Sequence, residues 1–188
     1  MVSTDFFLVV SKCTNVVNCF DSFFVSIVTQ NRQVTSCHFI ICHFPFIEID
    51  LDLLIEDGLL TEQEVCDRDW GEDPRHVDYG KLYENRLDLL KKAAERGWMR
   101  DSGAVAGFTE KNASWLPDYA LFMALKRHFG MKSWTEWPDE GARLHRADSL
   151  ERYRAELRGD VELFTYIQFL FFRQWSALKS YINGLGIR

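Results

Sequence analysis

DVELFTYIQFLFFRQWSALKSYINGLG, residues 160–186, sets the architecture expected for the rest of this 188-residue chain. Phe164, Ile167, Phe171, Trp175, Leu178 and Ile182 recur at three- and four-residue steps, the period of one helix face. Further aromatic residues between them widen the stripe so far that this helix must be covered on more than one side. Gly184-Leu185-Gly186 reads as the loop leaving the helix, and Ile187-Arg188 as the start of a strand.

Upstream, helical periods continue. PDYALFMALKRHFG opens with Pro117 in its first turn, is lined by Leu121, Met123, Ala124, Leu125 and His128, and closes on Gly130. Phe122 and Met123 read as core. Asp148 and Glu151 stand at capping-box spacing at the head of a further helix. DYGKLYENRLDLLKKAAERG, from Asp78 to Gly97, carries Leu82, Arg86, Leu87, Leu90 and Ala94 on one face. Acids lead and bases follow along it, the order a helix dipole favours. DRDWGEDPRHVDYG, dense in Gly, Pro and Asp, reads as a surface loop. Before it, Gly58 breaks IEDGLLTEQEV, and Thr61 with Glu64 forms a second capping-box pattern.

IEIDLDLL, residues 47–54, alternates strictly, with Ile47, Ile49, Leu51 and Leu53 against Glu48, Asp50 and Asp52. This spacing predicts a half-buried strand. Three carboxylates on one strand face are also a conceivable catalytic or metal-binding row, although neighbouring like charges more often simply face solvent. Trp134 and Trp137 in SWTEWP have two readings as well, sugar stacking or structural packing, and packing is preferred.

A composition break falls at residue 46. Residues 1–46 hold four of the five cysteines and only four charged residues, whereas all six tryptophans come later. The first segment therefore reads as atypical and poorly ordered, with an origin or constraints of its own. Cys13, Cys19, Cys37 and Cys42, with His38 and His43, are enough ligands for a tetrahedral zinc site. The wide Cys13–Cys19 spacing argues against one, so no metal or cofactor is expected.

A net charge of −6 and a pI near 5.4 exclude a general nucleic-acid binder, which needs clustered Lys and Arg. Apolar runs such as FFLVV are far shorter than the ~20 residues that span a bilayer. MVSTDFF carries Asp5 where a secretory signal is basic. The expected location is cytoplasmic, or plastidial in a plant or alga.

Four collinear blocks carry a family resemblance: IDLDLLIEDGLL, VDYGKLYENRLDLLKKA, NASWLPDYALFMALKRHFG with SWTEWP, and IQFLFFRQWSALKSYINGLGIR. In order and spacing, residues 47–188 resemble the 4-alpha-glucanotransferases of glycoside hydrolase family 77, also called amylomaltases or disproportionating enzymes. The resemblance implies an α/β fold, a partial β/α TIM barrel with a helical insertion. In this chain that would be mostly α-helix with one or two strands. It also implies transfer of α-1,4-glucan segments between acceptors by a retaining double displacement. That reaction uses an aspartate nucleophile, a glutamate acid/base about 5 Å away and a supporting aspartate.

In the family all three carboxylates follow the strand that Ile187-Arg188 would begin. The resemblance therefore implies a catalytically incomplete piece with no catalytic residue of its own. Tyr83, with Tyr79 beside it, matches a tyrosine of an accessory glucan-binding surface in some members, which makes α-1,4-glucans and maltooligosaccharides the expected partners. A half-buried helix tyrosine is an equally good reading of Tyr83. Upstream, SCHFIICHFPF replaces the family's Ser-Pro-Tyr loop and Ala-Gly-Asn-Pro approach, with Pro45 as the one remnant. The alternative to an enzyme is a noncatalytic remnant or a helical module that binds glucan or another partner.

Overall fold

The computed structural model describes residues 45–71 and 78–186. They form helices α1 (Pro45–Glu48), α2 (Leu51–Glu56), α3 (Glu62–Cys66), α4 (Tyr79–Gly97), α5 (Ser102–Lys111) and α6 (Leu116–His128). A 3-10 turn, Trp134–Glu136, precedes α7 (Glu140–Arg143), α8 (Ala147–Glu156) and α9 (Arg158–Gly184). The chain divides into two compact units, the first taking residues up to Arg96 and from Gln174 on, the second Gly97–Arg173. The N-terminal cysteine and histidine set, most of the segment before the composition break, residues 72–77 and the strand expected at Ile187-Arg188 lie outside the described residues.

A mostly helical chain was expected and is observed, but the strand at 47–54 is not. Among the described residues there is no strand. Phe46, Ile49, Leu51 and Leu54 are buried instead, while Leu53 is 42% exposed, so the buried set does not follow the alternation. The physical reason is where the backbone finds its partners. A strand needs a neighbouring ladder, whereas here side chains take the polar groups. The Asp50 carboxylate accepts from the N–H groups of Asp52 (2.8 Å) and Leu53 (3.3 Å) and so starts α2. Gln174 accepts from the Asp50 N–H at 2.8 Å and donates to its carbonyl at 3.0 Å, a one-residue imitation of a ladder rung. Asp among leucines acts here as a cap.

Elsewhere in the first unit the periodicity holds. Thr61 caps α3, accepting from the Glu64 N–H, while the Glu64 carboxylate accepts from the Thr61 N–H at 3.1 Å, so the expected capping box is present. On α4, Leu82, Arg86, Leu90 and Ala94 are buried as expected, together with Leu89 and Ala93, whereas Leu87 is only half-buried; the Asp78 carboxylate caps the helix start by accepting from Gly80 and Lys81.

The second unit is built on rings. Leu121, Leu125, Trp137, Ala142, Leu150 and Tyr153 form a core joined by Phe129. Gly130 closes α6 at φ 68°, a left-handed conformation that glycine adopts without penalty. Met123 is buried as expected, but Phe122 is 38% exposed, and His128 is exposed with its ring against Phe129 and Tyr153. The capping box at Asp148 and Glu151 does not form. Arg146, in extended backbone, is the N-cap of α8 without a side-chain bond, and its N–H pairs with the Gly141 carbonyl at 2.8 Å, so the end of α7 fixes where α8 begins. Gly141 is required there, because a Cβ would lie 2.0 Å from the Ser149 hydroxyl.

Helix α5 has no counterpart in the sequence reading. Gly103 and Gly107 weaken its propensity and it carries no clear apolar stripe. It is held from outside, with the Phe108 ring 6.0 Å from Phe169 and 5.5 Å from Phe172. The Tyr166 hydroxyl anchors its N-cap by donating to Asp101 at 2.7 Å. Every residue of α9 from Leu163 to Phe171 is buried, as the widened stripe required, but the later stripe positions Trp175, Leu178 and Ile182 are only half-buried, so the covered part of the helix ends near Phe171.

Candidate functional site

Tyr79 is the first residue of α4, and Tyr83 follows one turn later on the same face. Tyr79 is 65% exposed. Tyr83 is half-buried, its ring standing edge-on to buried Phe46 with centroids 5.0 Å apart and planes at 82°. One edge of Tyr83 therefore packs on α1 while Tyr79 offers its ring to solvent. The two can present a short aromatic rail, with Tyr79 as its outer member.

The acidic row expected at Glu48, Asp50 and Asp52 is dismantled by the helices. Asp50 is spent as a cap. Burial raises the Glu48 carboxyl above its ordinary range. Asp52 is raised by burial and by the negative charges of Asp50, Glu56 and Glu62. Among the described residues no group of three or more His, Cys, Asp and Glu side chains converges as a metal site.

Beneath this segment lies Arg86, 6% exposed within the apolar stripe of α4. Its guanidinium donates to the Phe46 carbonyl at 3.0 Å and to the Ile49 carbonyl, satisfying the end of α1. Burial lowers its pKa to about 10 against the opposing pull of Asp50, which leaves it charged at neutral pH. Arg86 is structural to the segment that supports Tyr83.

Trp134 and Trp137 part company. Trp137 is 2% exposed and donates its indole N–H to the Lys132 carbonyl at 3.3 Å, in line with the packing reading. Trp134 is 52% exposed and stands beside a cleft of 310 Å3. Phe122, Asp118, Arg143 and His145 line that cleft with it, and Trp137 forms part of its wall.

Sequence reasoning named Tyr83, Tyr79 and the tryptophan pair but missed Asp118, Arg143 and His145. These reach one place only because α6, the 3-10 turn and α7 fold together, so sequence spacing carries no signal for them. Arg86 did carry one: an arginine inside an apolar stripe signals a buried charge that needs partners.

Comparison with known proteins now adds identity to geometry. A family profile described as 4-alpha-glucanotransferase, glycoside hydrolase family 77, matches residues 33–188. The chain is 42% identical over 136 residues to the 4-alpha-glucanotransferase of Streptococcus pneumoniae, covering 72% of this chain and 27% of that protein. It is 39% identical over 144 residues to the Thermus thermophilus 4-alpha-glucanotransferase, covering 74% of this chain and 28% of the relative. Among solved structures it is similar to the amylomaltase from Streptococcus agalactiae in complex with acarbose. That similarity has a TM-score of 0.72 at 33% identity and covers 76% of this chain and 29% of the other. The chain thus spans about a quarter of the length of these relatives.

Proposed function

The chain belongs to the 4-alpha-glucanotransferase family, and from that premise we propose that it serves the transfer of α-1,4-glucan segments to glucose or glucan acceptors. The observation that carries this reading is the likeness in both sequence and backbone to an amylomaltase over three-quarters of the chain. In this reading residues 47–188 belong to a β/α barrel with a helical insertion. The cytoplasm is the natural compartment for such chemistry on maltooligosaccharides. Among the described residues no helix is long and apolar enough to cross a membrane.

Within that activity the described residues hold substrate and do not react with it. Retaining transfer needs two carboxyl groups about 5 Å apart across the scissile bond, one protonated and one ionised. Several of the described carboxylates are committed to structure: Asp50 and Asp139 to helix caps, Glu64 to a cap and Arg96, Asp101 to Arg100 and Tyr166. Tyr83 and Tyr79 are proposed to stack on a glucan strand.

Two measurements test the proposal. Pure 188-residue protein incubated with maltotriose should release no glucose, and release would refute the holding role. A chimera, the Streptococcus agalactiae amylomaltase with residues 47–188 of this chain in place of its corresponding region, should still disproportionate maltotriose. A folded but inactive chimera would overturn the functional assignment. In the active chimera, Tyr83→Ala should raise KM for long glucans several-fold more than for maltotriose.

A further inference from the structure

The cleft beside Trp134 has features that packing alone does not explain. Trp134 makes no ring contact and its indole N–H no hydrogen bond among the described residues, so a large apolar face and a donor are both held at the surface. Phe122 lies alongside, its ring 5.7 Å from buried Trp137, which makes the cleft wall aromatic.

The rim is the second observation. Arg127, Arg146, Arg152, Arg154 and Arg158 of this unit are each ion-paired. Arg143, which lines the cleft, has no ion pair or hydrogen bond through its guanidinium among the described residues. Asp118 is joined to Arg154 only loosely, at 3.6 Å, and keeps acceptor capacity. A donor fork and an acceptor thus flank the aromatic face.

His145 is the third. It follows α7 at φ 55°, with its N–H bonded to the Ala142 carbonyl while the next N–H, that of Arg146, reaches Gly141. This is the helix-ending position that glycine fills without strain. A histidine there accepts a backbone penalty and places an imidazole on the cleft rim, and residues held in sparsely populated backbone regions cluster at binding sites.

We propose that the cleft lined by Trp134, Phe122, Asp118, Arg143 and His145 binds a glucosyl residue of an α-1,4-glucan chain. The sugar's apolar face lies on the Trp134 indole, and its hydroxyls are held by the Arg143 guanidinium, the Asp118 carboxylate and the His145 imidazole. A flat ring with C–H groups on its faces and hydroxyls around its edge needs this combination of aromatic wall and mixed donor and acceptor rim. The volume lies at the small end of the roughly 300–1,000 Å3 usual for small-molecule sites, which suits one or two rings. The choice of an α-1,4-glucan among sugars rests on the proposed function. The site itself rests on the cleft, and it acts independently of Tyr83, which belongs to the first unit.

The test is titration of the full 188-residue chain with maltoheptaose, followed by tryptophan fluorescence and by calorimetry. Trp134 is an exposed side chain, so Trp134→Ala should keep the circular dichroism spectrum and melting temperature of the parent. It should weaken binding at least tenfold and remove the fluorescence change. Arg143→Gln should weaken binding several-fold with the fluorescence change retained at saturation, whereas Tyr83→Ala should leave that change intact. Parent-like affinity in Trp134→Ala, with loss in Tyr83→Ala, would overturn the cleft and leave the family function standing. No maltoheptaose binding by the parent chain would overturn the cleft proposal outright, while the chimera's disproportionation of maltotriose judges the function separately.

Discussion

The two units reach the same helical outcome by different means. In the first, long side chains cross between segments to satisfy backbone groups: Arg86 serves two carbonyls of the α1 region, Gln174 both backbone groups of Asp50, and Arg96 the Leu59 carbonyl. In the second, rings do the joining, with Trp137 in tilted contact with both Phe122 and Phe129, and Phe129 set edge-on to Tyr153. Directional bonds fix a segment to within a fraction of an ångström and fail all at once when one partner goes. Aromatic packing is less directional but contributes more free energy per residue.

The largest effect should therefore come from the second unit. Trp137→Ala removes a side chain that is 2% exposed and leaves a cavity between Phe122 and Phe129, so it should cost about 3–5 kcal/mol in urea or thermal unfolding. Hydrogen exchange should accelerate across α6, α7 and α8 while α2 and α3 keep their protection. Uniform acceleration through both units would mean that they do not fail separately. The cleft beside Trp134 should also be lost in this variant, since Trp137 forms part of its wall.

Arg86→Met comes next. It matches the apolar stripe of α4 but strips the Phe46 and Ile49 carbonyls of their donor, at about 1–3 kcal/mol for each buried group left unpaired. The exchange signature should be local, with loss of protection in residues 46–56. Arg86→Lys keeps the charge without the planar fork and should recover only part of the loss. If Arg86→Met were as stable as the parent, the first unit would owe its order to apolar burial like the second, and the contrast between them would fall.

The same contrast explains what could be read in advance. Thr61 and Glu64 were legible because a capping box lies wholly within four residues. The existence of helix α9 and its buried stretch Leu163–Phe171 were legible because the apolar period runs over many turns, although the stripe is buried only along that stretch. IEIDLDLL misled because its alternation is a real strand signal, and the groups that override it, Arg86 and Gln174, sit far along the chain. Helix α5, with two glycines and a weak stripe, is stabilised by Phe108 and Asp101 contacts to α9 that no local pattern announces. The cleft residues around Trp134 belong to the same class, gathered by tertiary folding. What was legible is local chemistry, and what was missed is chemistry between distant segments.

The smallest effect separates charge from hydrogen bonding in the first unit. Glu64 accepts from both guanidinium nitrogens of Arg96 at 2.8 Å as well as closing the capping box. The Arg96 hydrogen bonds first, and then the Thr61 N–H, hold its carboxyl down at about 2 against an ordinary 4.5. A carboxyl depressed by folding lends stability above its unfolded pKa and loses it as pH falls toward the folded value. The contribution should therefore be whole at pH 6 and fade between about pH 4.5 and pH 2. Glu64→Gln can still close the box but cannot carry the charge. Its melting temperature should lie slightly below that of the parent at pH 7, and the gap should close in that acid window. Because the Arg96 side chain is 43% exposed and Glu64 only partly covered, salt should screen the pair and narrow the gap. A difference that persists unchanged at pH 2 would mean that Glu64 acts through the geometry of the α3 cap, and that directional bonding alone, without charge, sets the first unit apart from the second.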